Sequence, residues 1–210
     1  MGSKAPGNSR GKKPTRRPGP VAGVRIIAGR FRGRRLRYSG DPRTRPMKDR
    51  VREALFSILG QRIEGKYVLD LFAGTGALGL EAMSRGASGA LFLEYHRPTA
   101  ALLRENITLL GLQECCQVLP VDTFIWFRRR PDLPSTPWLV FCSPPYEFYQ
   151  TRQKEMLELI GGLLHQAPPE SLFVVEADSR FDFRLLPHPD QWDIRHYRPA
   201  VLAIYQKPES

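Results

Sequence analysis

The chain has no apolar run approaching the length of a membrane helix, and its basic N-terminus lacks the apolar segment of a secretory signal. Neither a membrane-spanning nor an exported protein is expected, and the compartment it suits is the cytoplasm. Cysteine is scarce as well. Cys115, Cys116 and Cys142 form no C-x-x-C pair and have no histidine at zinc-binding spacing, so they read as reduced core thiols and no metal site is expected. Acidic residues are nearly missing from the first fifty positions, which hold sixteen Lys or Arg against only Asp41 and Asp49. The other 160 positions hold sixteen Lys or Arg against nineteen acids, so the N-terminal block carries +14 and the remainder −3 of the net charge of +11. Solubility alone would not segregate charge in this way. A polyanionic partner is expected, and nucleic acid is the commonest one.

What is present suffices for one α/β core with a small appendage: 210 residues, 41% hydrophobic. The chain is organised around residues 67–82, YVLDLFAGTGALGLEA. Tyr67 to Phe72 is an apolar, β-prone run of the kind that is covered on both faces. It stops at Ala73-Gly74-Thr75-Gly76, and a helix is expected from Ala77 onward. Gly74 and Gly76 permit unusual dihedrals and close approach of a ligand to the main chain, and Gly79 lets the helix lie against the strand. The three satisfy the G-x-G-x-x-G spacing of dinucleotide sites, a turn that also serves S-adenosylmethionine. Asp70 tilts the choice. A carboxylate among apolar neighbours needs a donor, and it would attract an ammonium group but repel a pyrophosphate. Acceptance from loop amides alone is the other reading of Asp70.

Taken in order, residues 1–20 mix Gly, Pro, Ser and basic residues with little to bury and read as a disordered basic tail. Residues 21–60 read as an extension on the RNA side: a hairpin with arms Val24 to Ala28 and Arg34 to Tyr38, then a helix from Lys48 to Leu59 capped by Gly60. Arg30, Arg32, Arg34, Arg35 and Arg37 decorate the hairpin, with Phe31 and Tyr38 as candidate stacking surfaces. Arg45, Lys48, Arg50 and Arg52 cluster at the start of the helix. Arginine forks grip phosphates and aromatic faces stack on bases, so this composition suits RNA. Residues 61–210 read as the cofactor-binding domain, in which repeated β then α segments argue for a doubly wound, mostly parallel sheet. A second buried strand, Gly89 to Tyr95, contains Glu94, placed like the acid that accepts from ribose hydroxyls. A helix over Pro98 to Leu110 and a strand Gln117 to Val121 lead to Asp122, which suits either an acceptor from an adenine amino group or the cap of a helix over Thr123 to Arg129. Strand Trp138 to Cys142 is followed at once by Ser143-Pro144-Pro145-Tyr146, two backbone-fixing prolines and an aromatic ring on the crevice side. A helix over Thr151 to Leu164, a strand Leu172 to Ala177 and an antiparallel hairpin at the sheet edge complete the chain.

An S/D/N-P-P-aromatic turn after such a glycine loop is the signature of methyltransferases that act on exocyclic amines of bases. The segments V-R-I-I-A-G-R, T-R-P-M-K-D-R-V-R-E-A-L-F, D-L-F-A-G-T-G-A-L-G-L-E-A and E-N-I-T-L-L-G-L resemble the bacterial RsmD type, guanine-N2 methyltransferases of small-subunit ribosomal RNA. The likeness runs from about Val24 to Gln206. It implies a seven-stranded class I methyltransferase sheet, S-adenosylmethionine as donor, and small-subunit ribosomal RNA or the assembled small subunit as partner. By the same resemblance Asp70, Phe72, Gly74, Thr75, Gly76, Gly79, Glu94 and Asp122 hold the cofactor, and Ser143, Pro144, Pro145 and Tyr146 handle the base. Two departures stand out. Position 143 is Ser where the family usually has Asp, and the usual Tyr-Gly pair near the C-terminus is Tyr197-Arg198 here.

Orientation carries much of such a reaction, because the guanine N2 lone pair is delocalised into the ring. The Ser143 hydroxyl and the Pro144 carbonyl are suited to accept the two amino hydrogens, with Tyr146 stacking on an extruded base. Ser143 would stabilise developing positive charge less than Asp. Ser-Pro-Pro-Tyr also resembles DNA cytosine-N4 methyltransferases, and a weakly catalytic RNA-binding factor retaining the fold is a further alternative.

Overall fold

A computed structural model describes residues 2, 23–38, 40 and 47–209. The expected basic tail, and Arg45 with it, lie outside the described residues apart from Gly2. Seven strands form one sheet: β1 (Tyr67–Asp70), β2 (Gly89–Leu93), β3 (Cys116–Leu119), β4 (Trp138–Cys142), β5 (Leu172–Asp178), β6 (Asp193–Tyr197) and β7 (Ala200–Gln206). Their order is β3-β2-β1-β4-β5-β7-β6, parallel throughout except at β7, which runs antiparallel to β5 and to β6. The terminal hairpin is present as expected, but β7 lies inside the sheet and only β6 lies at its edge. The burial explains this: β7 is apolar and buried from Ala200 to Tyr205, whereas no residue of β6 is buried. The Tyr197-Arg198 departure falls at the turn joining these two strands.

Among the described residues six α-helices accompany the sheet: α1 (Asp49–Leu59), α2 (Ala77–Ser84), α3 (Arg97–Leu109), α4 (Thr123–Arg128), α5 (Phe148–Thr151) and α6 (Gln153–Gln166). The helix expected over Thr151 to Leu164 is α6, and the short α5 precedes it with Arg152 between them. One face of the sheet packs on Leu55, Phe56 and Leu59 of α1, on α2, and on Leu103 and Ile107 of α3. The other packs on Met156, Leu159, Ile160 and Leu163 of α6. Each of these side chains, fully buried, contributes about 1.5–3 kcal/mol. From β1 the chain winds outward through β2 and β3, and from β4 it winds outward on the other side through β5. A crevice therefore opens at the C-terminal ends of the neighbours β1 and β4, the topological switch point.

Residues 24–38 form two extended arms joined by hydrogen bonds from Ile26 N to Arg34 O and from Leu36 N to Val24 O. The expected strands reduce to one antiparallel bridge, Arg25 with Arg35. Val24, Ile26 and Leu36 are buried in the same core as α1 and α2. The arms are therefore fixed by packing more than by a strand ladder.

Candidate active site

Five acidic or hydroxyl-bearing positions converge on the crevice because each lies near or just past the C-terminal end of a parallel strand: Asp70, Glu94, Asp122, Ser143 and Glu176. Asp70 closes β1 and is 2% exposed. Its Oδ2 accepts from Gly79 N at 3.1 Å. Burial raises its pKa to about 7; bonds from Gly79 and Phe72 amides oppose that shift, and the nearby Glu94 charge adds to it. A carboxylate so poorly compensated fits a cationic ligand group. Gly74 and Gly76 hold φ of 52° and 78°, as the turn requires. Gly79 meets the close-packing expectation: a Cβ there would lie 2.3 Å from the Phe92 ring and 3.2 Å from Asp70 Oδ2. Thr75 is buried in the same turn.

Glu94 follows β2 and is half-buried. Its two oxygens accept from Gly74 N at 2.8 Å and His96 N at 2.7 Å. The acid thereby holds the glycine turn in place. Tyr95, which no sequence motif marks, stands beside it 75% exposed. An aromatic ring so exposed at a crevice is detectable only from the surface. Asp122 caps α4, its Oδ1 accepting from Phe124 N and Ile125 N at 2.9 and 3.0 Å. Its Oδ2 meets Arg152 at 3.3 Å. The cap reading of Asp122 is what the geometry supplies. Arg152, likewise unmarked by any motif, lies 3.8 Å over the Phe124 ring. Phe72, Phe124 and Phe148 pack with centroids about 6 Å apart, forming an apolar wall beside Asp122.

After β4 the prolines turn the chain: Pro144 is buried, Pro145 exposed and Tyr146 half-buried. The Tyr146 hydroxyl donates to Glu176 Oε1 at 2.7 Å. Ser143 Oγ is buried and makes no formed hydrogen bond, yet it approaches the Glu176 carboxylate closely enough to lower that group's pKa. Burial outweighs both hydroxyls and leaves the Glu176 pKa raised. The sequence marks Glu176 only as part of a strand; nothing in a sequence places it opposite residue 143.

The basic residues divide. Arg30, Arg32, Arg34, Arg35, Lys48 and Arg50 are exposed. Arg37 is exposed as well but pairs with Glu105 at 2.5 Å. Arg52, expected at the surface with them, is fully buried, donating to Arg25 O at 2.6 Å and to Asp49 at 3.0 Å. Phe31, expected to be free for stacking, packs against the core with Arg30 over its ring at 4.6 Å.

This arginine-bearing turn is bolted to the cofactor loop's helix. Glu81 of α2, fully buried, accepts from Ile27 N at 2.7 Å, Ala28 N at 3.0 Å and Arg85 Nε at 2.8 Å. Ser84 donates to Ala28 O and accepts from Phe31 N. Asn106 of α3 accepts from Arg37 N at 2.7 Å and donates to Arg37 O at 3.1 Å, with Thr75 O at 3.5 Å. Glu81, Ser84 and Asn106 thus join the basic segment to the glycine turn.

The family described as Conserved hypothetical protein 95 matches residues 24–206. The chain belongs to this family, the RsmD-type methyltransferases. Ribosomal RNA small subunit methyltransferase D of Escherichia coli K12 is 48% identical over 187 residues, 87% of this chain and 88% of that protein. The Haemophilus influenzae protein of the same name is 32% identical over 190 residues, 90% of this chain and 95% of its own. A solved structure titled putative methyltransferase yhhF from Escherichia coli superposes with TM-score 0.72 at 30% identity, over 90% of this chain and 99% of that one. S-adenosylmethionine is the cofactor for which the RsmD-type cradle is built, and the Asp70 and Glu94 carboxylates, acceptors on either side of the glycine turn, fit it. Cys142, buried with its thiol pushed up to about 12, is no nucleophile. Among the described residues no group of metal-ligating side chains occurs and no helix is long and apolar enough to cross a membrane.

Proposed function

We propose that this chain methylates the exocyclic N2 of a guanine in small-subunit ribosomal RNA, using S-adenosylmethionine. One observation carries the reading: the glycine cradle and the Ser143 to Tyr146 turn end neighbouring strands β1 and β4 at the same edge of the sheet. The names of the relatives add the ribosomal RNA, and the exposed arginines clamped to α2 supply a surface for its phosphates.

Bound at the cradle, S-adenosylmethionine supplies an electrophilic methyl on a sulfonium. In this reading Asp70 takes the ligand ammonium, Glu94 the ribose hydroxyls, and the Phe72 wall beside Asp122 the adenine. The Ser143 hydroxyl and Pro144 carbonyl accept the two amino hydrogens of the target, which aims its nitrogen along the line of transfer. Tyr146 stacks on the extruded base while its hydroxyl is held by Glu176. Arg30, Arg32, Arg34, Arg35, Lys48 and Arg50 grip the backbone, and Arg45 belongs to the same set by its place in the sequence.

The test is methyl transfer from labelled S-adenosylmethionine to small ribosomal subunits that lack the modification, followed by nucleoside analysis. N2-methylguanosine is the expected product. Label in a cytosine or adenine nucleoside would overturn the guanine reading, and cofactor binding without transfer would leave an RNA-binding factor.

A further inference from the structure

Glu176 is an unusual residue for the middle of a sheet. It lies in β5, flanked by Val175 and Ala177, with only 8% of its surface exposed. Two neutral hydroxyls, those of Tyr146 and Ser143, are the groups that pull its pKa down, and no cation contributes. Burying an ionised carboxylate without a cation costs several kcal/mol. A structural role would be served as well by an amide or an apolar side chain. The Ser143 hydroxyl beside it is buried and makes no formed hydrogen bond, an arrangement that wants a ligand.

We propose that Glu176 is the positioning residue that drains the proton from the methylated amine, acting through the Ser143 hydroxyl. This rests on the proposed function above. As the N–C bond forms, the C–S bond breaks and its electron pair stays on sulfur, neutralising the sulfonium. The positive charge moves to N2. Ser143 Oγ accepts the N2 proton while its own proton passes to a carboxylate oxygen of Glu176, so the amine ends neutral and Glu176 ends protonated. The Tyr146 bond to Oε1 holds the Glu176 carboxylate in place beside Ser143. Position 143 thus needs no charge of its own, because the negative charge is delivered across the sheet from β5.

The experiment is single-turnover methylation of unmodified small ribosomal subunits over a range of pH, with cofactor affinity measured alongside. Wild type should show a rate that rises with pH as Glu176 ionises. Glu176→Gln, which keeps size and one acceptor, should lose that rise and fall about 10²-fold in rate, with cofactor affinity unchanged. Should Glu176→Gln not fold, Tyr146→Phe serves: losing a donor to the ionised carboxylate should move the rise to higher pH. Ser143→Ala should lower the rate to the level of Glu176→Gln, and the double variant should be no slower than either. A Glu176→Gln enzyme with wild-type rate and pH profile, or a Tyr146→Phe profile that does not move, overturns the relay while leaving guanine methylation standing. Wild type that methylates no guanine overturns both.

Discussion

At Asp70 burial and ligand chemistry pull in opposite directions. Its folded pKa of about 7 lies far above that of an exposed Asp, because desolvation outweighs the two amide bonds. A raised carboxyl pKa stabilises the fold at pH below the unfolded value and loses that contribution as pH rises through about 7. The ligand-free protein should therefore lose stability from this group over roughly pH 4 to 7. A bound ammonium reverses the preference by favouring the ionised form. S-adenosylmethionine affinity should strengthen as pH rises toward about 7 and then level off, which calorimetric titration at several pH values would show. Asp70→Asn should flatten that dependence and weaken binding by about 1–3 kcal/mol. A pH-independent affinity in wild type would remove Asp70 from the ammonium site. At position 143 the family's Asp would meet Glu176 across the sheet, and two adjacent carboxylates cannot both ionise freely. Ser143→Asp should therefore shift the rising limb of the rate profile to higher pH rather than simply speed transfer.

Helix α2 serves two partners at once. Its first turn closes the cofactor loop through Gly79, and its last turn grips the arginine-bearing turn through Glu81 and Ser84. Gly29 is where the grip is tightest, with φ of 78° and space for a Cβ only 1.9 Å from Ser84 O. Gly33, four residues on, has φ of 82° but open space around it. Gly33→Ala should cost about 1–2 kcal/mol from backbone conformation alone. Gly29→Ala should cost clearly more, because the turn must lift off α2, and it should also weaken cofactor binding. Thermal unfolding of the two variants, with cofactor titrations, checks this; equal destabilisation would mean that the clamp is not tight.

On the scale of the whole molecule, charge and fold are separable only up to a point. Residues 1–22 hold six of the Lys and Arg and no acid, whereas the core of the described residues includes Val24, Ile26 and Leu36. Removing residues 1–22 should leave thermal stability and cofactor affinity unchanged. RNA affinity should fall, and its dependence on salt should flatten by about 0.7–0.9 for each phosphate no longer neutralised. Removing residues 1–40 should in addition destabilise the fold, because Val24, Ile26 and Leu36 would leave a hole beside α1 and α2. Binding assays at several salt concentrations, with unfolding curves for both truncations, separate the two effects. A shorter truncation with an unchanged salt slope would show that the RNA-binding residues lie wholly in the folded part.

Local sequence pattern was enough for the parallel strands, the glycine turn and the strand-end acids. Apolar runs such as Val68 to Leu69 and Trp138 to Cys142, broken by Gly74, Gly76 and Pro144, carry their structure locally. Where residues on different strands had to meet, local pattern was silent. It did not show that Glu176 faces Ser143, that Asp122 turns to Arg152, or that Arg52 leaves the basic surface for the core. Those outcomes depend on strand order and on which buried charge finds a donor, and both are set only when the sheet is assembled. The same holds for the N-terminal arms. Their arginines were legible as a basic surface, but Glu81 and Asn106, which hold that surface to the glycine turn, lie 54 and 69 residues from their partners. Only tertiary packing brings such distant groups within hydrogen-bonding reach, and burial then makes those bonds costly to break.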